Sequence, residues 1–170
     1  MRLIIFLTVF FSFSAFADPC GLEGTIEERI KNCDLAKGDF VLVSRSATGV
    51  EIFKDTKSGV IWGDRQTADF NHYGSQKACD ETIPEAGILK EIRWRLPTVR
   101  EFEESAAHGM KASLSRMYYT FWSSTPVKNR SKGRRRRAAP AQAFLWDGDA
   151  QKTDIADLKD AASVRCVGKI

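Results

Sequence analysis

Apolar residues along this chain fall into short blocks separated by turn residues, and no long helical period runs through it. Leu3 to Phe11 is apolar apart from Thr8. Phe40-Val41-Leu42-Val43 and Val50-Glu51-Ile52-Phe53 predict strands joined by a turn around Thr48-Gly49. Asp55-Thr56-Lys57-Ser58-Gly59 predicts another turn, returning into Val60-Ile61-Trp62. Tyr118 to Trp122, Ala143 to Trp146 and Ser163 to Val167 are rich in aromatic and β-branched residues and predict further strands. A hairpin turn is expected at Asp147-Gly148.

Helices are announced by their caps. Thr25-Ile26-Glu27-Glu28 has an N-cap threonine and a glutamate three residues on, and Ile26 and Ile30 share a face of the short helix that follows. Thr98-Val99-Arg100-Glu101 repeats the device after Pro97 and opens a helix with Phe102 and Ala106 on one face. Residues 68–79 read as a third helix, weakened by Gly74. Pro97 disfavours a helical Leu96, so Arg93-Trp94-Arg95-Leu96 should run extended, with Trp94 and Leu96 inward and the two arginines on the other side. Helices flanked by short strands without a βαβ rhythm predict an α+β domain.

Composition changes this picture at two places. The 170 residues are 43% hydrophobic and 28% charged, which suits one globular domain and excludes collagen-like, coiled-coil and wholly disordered chains. The net charge of +4 is unevenly spread. Of the 26 Lys and Arg, seven lie in residues 128–137 without an acid; the 19 elsewhere face 22 Asp and Glu, a net of −3. The second place is the start. Arg2, the apolar run and Ala15-Phe16-Ala17 have the three parts of a secretory signal peptide, with cleavage expected before Asp18. The run is shorter than the roughly 20 residues a bilayer span needs.

Export makes disulfides the default state of Cys20, Cys33, Cys79 and Cys166, and spacing leaves all three pairings open. Among them there is no Cys-x-x-Cys pair to suggest zinc. His72 and His108 have no third group placed by spacing, so helix-end or surface roles explain them. Trp62, Trp122 and Trp146 offer faces for stacking sugars, but β-prone runs usually bury such rings in a core. Trp146-Asp147-Gly148-Asp149 has too few convergent oxygens for calcium. For Arg95, an acid within the chain is a better expected partner than an external anion.

Four segments recur in a set order: Thr56 to Trp62, Trp94-Arg95-Leu96-Pro97-Thr98 with Glu101, Phe121-Trp122-Ser123-Ser124-Thr125, and Val164-Arg165-Cys166-Val167. Together they resemble the bacterial domain at the C-terminus of the Legionella collagen-like adhesin, over residues 53–169. The resemblance implies a C-type-lectin-like fold, with two helices packed on short twisted antiparallel sheets and stapled by disulfides. It implies pairing of Cys79 with Cys166, leaving Cys20 with Cys33. Glycosaminoglycan binding and adhesion are known for that adhesin. Sulfatase-activating enzymes share the broader architecture and use cysteine with a metal, chemistry that paired cysteines do not carry over.

The expected organisation is a signal peptide at 1–17, an N-terminal extension with a short helix and strands at 18–52, and a lectin-like domain at 53–170 with a basic loop at 126–140. The basic run is where the chain departs from the family. Lys128, Arg130, Lys132, Arg134, Arg135, Arg136 and Arg137 are the expected polyanion contacts, because guanidinium forks hold phosphate, sulfate and carboxylate bidentately. No aromatic residue interleaves with them, so stacking of nucleic-acid bases is not indicated. The expected function is an exported, periplasmic or secreted binding module without catalytic residues, cofactor or metal. Its expected partners are acidic polysaccharide, lipopolysaccharide or an acidic protein surface. The alternative expectation is a structural or protein-interaction component of the cell envelope.

Overall fold

A computed structural model describes residues 36–37, 39–46, 48–81, 90–127 and 142–169. The Thr25 helix, Cys20, Cys33, residues 1–17 and the cations of 128–137 lie outside them. The described chain is α+β, with two antiparallel sheets. The larger has five strands in the order β1-β2-β3-β4-β8: β1 (Ala36–Lys37), β2 (Phe40–Arg45), β3 (Glu51–Asp55), β4 (Ile61–Arg65) and β8 (Arg165–Gly168). The smaller is β5 (Thr120–Pro126), β6 (Gln142–Asp147) and β7 (Lys152–Asp157) in sequence order. Two nine-residue helices, α1 (His72–Asp80) and α2 (Val99–Ala107), and a single turn of helix, α3 (Met110–Ser113), complete the described elements.

Both faces of the five-stranded sheet are covered, which explains its nearly unbroken apolar runs. Neighbouring residues on one strand serve opposite cores: Ile52 and Phe53, Ile61 and Trp62, Cys166 and Val167 each divide between the two clusters. One cluster takes in Cys79 of α1 with Trp94, Leu96 and Trp122. The other takes in Phe102 of α2 with Trp62, Trp146 and Phe121, where the Phe102 and Trp146 rings stack at 5.5 Å.

The expected corner at Pro97 is present. Trp94 and Leu96 are buried, Arg93 and Arg95 exposed, and Arg95 exchanges backbone hydrogen bonds of 2.9 and 2.8 Å with Val167 beside β8. Thr98 caps α2, and Glu101 returns the bond to the Thr98 backbone. Two expectations shift, and one strand is new. The first helix begins at His72, because Phe70 is tied to Ala162 in a short bridge and Asn71 caps through Gly74 N. Tyr118 and Tyr119 lie in a turn, with β5 starting after them. β7 gave no sequence signal, since Lys152, Asp154 and Asp157 dress an edge strand, where charge discourages further pairing.

Cys79 on α1 is bonded to Cys166 on β8, the pairing that the family resemblance implies, across a separation of 87 residues. No helix among the described residues is long and apolar enough to cross a membrane. In the chain-entropy account a closed loop of this size stabilises the fold by about 4–5 kcal/mol. The double substitution of Cys79 and Cys166 by serine is expected to lower unfolding free energy by about that amount in urea titration.

Candidate functional site

The basic run connects two strands whose facing ends pair with each other. Pro126 at the end of β5 pairs with Ala143 near the start of β6, and Gln142 pairs with Asp157 of β7. The last residues of β5 are fastened to both helix N-termini. Ser124 N–H donates to the Pro97 carbonyl (2.8 Å), and the Thr125 hydroxyl accepts from Val99 N–H (2.9 Å) at the start of α2. The buried Ser123 presents its carbonyl to Nε2 of His72, the first residue of α1, at 3.1 Å. The Trp-Ser-Ser-Thr motif is thus a junction that fixes one root of the basic run. His72 also meets the Trp122 ring edge-on at 5.2 Å.

The Trp-Arg-Leu-Pro-Thr motif is a second junction. Arg95 grips both carboxylate oxygens of Glu101, at 2.8 and 2.5 Å, so its partner is the internal acid. That bond raises the Arg95 guanidinium further above its ordinary value, against an opposing effect of burial. Burial would raise Glu101, but Arg95 and the Thr98 backbone and hydroxyl outweigh it and hold the carboxyl below its ordinary 4.5.

Trp62, Trp122 and Trp146 are all core residues, as is Trp94, and none presents a face to solvent. The Trp122 indole donates to the Phe70 carbonyl at 2.7 Å. Asp147 builds the β6–β7 hairpin, its carboxylate accepting from Asp149 and Ala150 N–H at 3.0 and 2.9 Å. Among the described residues no group of three or more His, Cys, Asp or Glu could hold a metal ion.

One constellation was not anticipated. The Asp55 carboxylate is fully buried and accepts four hydrogen bonds. Oδ1 takes the N–H groups of Lys57 (3.0 Å) and Ser58 (3.2 Å), and Oδ2 takes the Ser105 hydroxyl (3.1 Å) and His108 Nδ1 (2.7 Å). The turn chemistry of Asp55-Thr56-Lys57-Ser58 was visible in sequence, and Ser105 and His108 are three apart, hence neighbours at the end of α2. Nothing local linked the two segments. Ser105 donates to the acid rather than to His108, so the trio has no nucleophile activated by a base. It clasps the β3–β4 turn to the C-terminal end of α2.

Comparison with protein-family models gives no match to this chain, nor does comparison with curated proteins.

Burial would raise the Asp55 carboxyl, but the bonds from His108, Ser58 and Lys57 prevail and hold it below its ordinary 3.8. A carboxyl depressed in the folded state contributes stability above its ordinary value and loses it as pH falls through the folded one. Stability in urea should therefore drop as pH falls from 4.5 toward 3 and below, as Glu101 and then Asp55 take up protons on unfolding. Asp55→Asn is expected to cost about 2–4 kcal/mol at neutral pH, by unbalancing buried donors, and to flatten the acid limb.

Proposed function

We propose that the protein is an exported, non-enzymatic binding module with a C-type-lectin-like fold of the Legionella collagen-like adhesin C-terminal type. Lys128, Arg130, Lys132, Arg134, Arg135, Arg136 and Arg137 attach it to a polyanionic glycan or another acidic surface. The family reading is supported by the ordered motifs, two of which, Trp-Arg-Leu-Pro-Thr and Trp-Ser-Ser-Thr, meet at the start of α2, and by the Cys79–Cys166 bond between α1 and β8. Periplasmic or secreted residence is supported by that bond and by the character of residues 1–17.

The attachment role rests on one observation. Seven cations without an acid are strung between strands that pair at Pro126 and Ala143, so both roots of the run are held at one end of a cross-linked scaffold. A local excess of guanidinium groups speeds encounter with polyanions and binds their oxygens in pairs.

Binding to immobilised heparin and to lipopolysaccharide should weaken steeply between low and high salt. Replacing Arg134, Arg135, Arg136 and Arg137 with serine should lower affinity at low salt by about tenfold or more, since several cooperating charge contacts are lost. Surface plasmon resonance at two ionic strengths reads both effects. An affinity unchanged by the four substitutions would remove the role.

A further inference from the structure

The three-stranded sheet has one edge that no described strand covers. On the outer side of β5 lies Ser163: Trp122 N–H donates to its carbonyl at 3.1 Å, and Ser163 N–H donates to the Thr120 carbonyl at 2.9 Å. In the larger sheet the outer side of β8 is met by Arg95, through its two backbone bonds with Val167. Among the described strands β7 pairs with β6 alone. A free strand edge presents a row of N–H and C=O groups that templates pairing with another chain.

The side chains of β7 add to that hazard. Ile155, in the middle of the strand, is 47% exposed and stands opposite the partly buried Phe144 of β6. Trp146, two residues along β6 on the same face, is covered by the Phe102 ring of α2. Ile155 has no such cover. An apolar residue on an open edge is a standard route to unwanted association.

The backbone of β7 carries the answer. Along an edge strand alternate residues turn their polar groups toward the neighbouring strand, and the others turn them outward. Ile155 N–H donates to the Asp154 carboxylate, Oδ1 at 2.7 Å, and Asp157 N–H donates to Asp160 Oδ2 at 3.2 Å. These two residues are two apart, so they belong to one row, and their bonds to carboxylates of their own segment mark it as the outward one. Thr153 is its third member. Asp160 holds both polar groups of Asp157, because its own N–H donates to the Asp157 carbonyl at 2.9 Å.

The residues of β7 also say what the row would otherwise receive. Two copies meeting antiparallel about a two-fold axis through Ile155 would set Thr153 against Asp157 and Ile155 against its counterpart. Asp154 would then face Ala156, so no acid would stand directly opposite another. The side chains allow this pairing, but two of the three outward amides it needs are already engaged.

We propose that Asp154 and Asp160 guard β7 against pairing with β7 of a second copy, by occupying the outward amides of Ile155 and Asp157. A carboxylate is a stronger acceptor than the neutral backbone carbonyl that would have to displace it, so the exchange gains little. The guard acts through these bonds, not only through the charge of the strand.

Sedimentation velocity on the full chain, at neutral pH and physiological salt, reads the effect. Asp154→Ala combined with Asp160→Ala should dimerise at concentrations about tenfold or more below those at which wild type does. Asp154→Asn combined with Asp160→Asn loses the same charge but keeps a side-chain oxygen for each amide, and should behave closer to wild type than to the alanine pair. Ile155→Lys added to the alanine pair should restore the monomer, which places the contact on β7. Should the alanine pair fail to fold, Asp154→Ala alone frees the Ile155 amide, leaves the turn at Asp160 intact and should shift association the same way. Alanine variants that associate no more than wild type would overturn the guard, because nothing was being held back. Association by the asparagine pair as readily as by the alanine pair would overturn it in favour of charge alone, and association that survives Ile155→Lys would place the contact elsewhere and overturn it too.

Discussion

The buried Asp55 carboxylate sets the position of much of what lies around it. Its four bonds join a turn between two central strands to Ser105 and His108, fixing the C-terminal end of α2. The other end of α2 is fixed by the Thr98–Glu101 cap and by Val99 on Thr125, so the helix transmits a position from the core of one sheet to the end of β5 in the other. A buried carboxylate with every acceptor site used tolerates little displacement of its donors. The two sheets are therefore related by polar bonds of definite length, in addition to apolar packing that would accept some sliding.

Charge within the described body is largely consumed locally. Arg45 meets Glu51, Arg65 meets Asp69, Arg95 meets Glu101 and Arg100 meets Glu104, all at hydrogen-bonding distance. Pairs of this kind contribute little stability each, but they cancel one another's field beyond a few ångströms. The seven cations of residues 128–137 have no acid within their own run, so sequence alone makes them the strongest concentration of one sign in the chain.

What could be read from the chain beforehand was what local physics decides. The corner at Pro97, the cap at Thr98, the inward set of Trp94 and Leu96 and the strands around Ile52, Trp62, Trp122 and Trp146 all follow from dihedral restriction, capping and alternation. β7 was not legible because an edge strand bearing Lys152, Asp154 and Asp157 has no apolar stripe to announce it. The start of α1 was misplaced because Phe70 is claimed by Ala162, more than ninety residues away. The Asp55 clasp was illegible for the same reason: it is made by segments some fifty residues apart in sequence. The basic run, by contrast, was conspicuous as a sequence.

The place of β8 has a consequence for how the molecule can be made. Arg165–Gly168 lies beside β4 and also takes Arg95 as a neighbour, so the last of these partners to leave the ribosome completes a sheet whose first strand begins at Ala36. Until it arrives, Ile61 and Trp62 lack one flank and Cys79 lacks its sulfur partner. Such long-range closure is slow compared with the formation of local helices and hairpins. The larger sheet and its disulfide are therefore both closed by the last strand of the described chain.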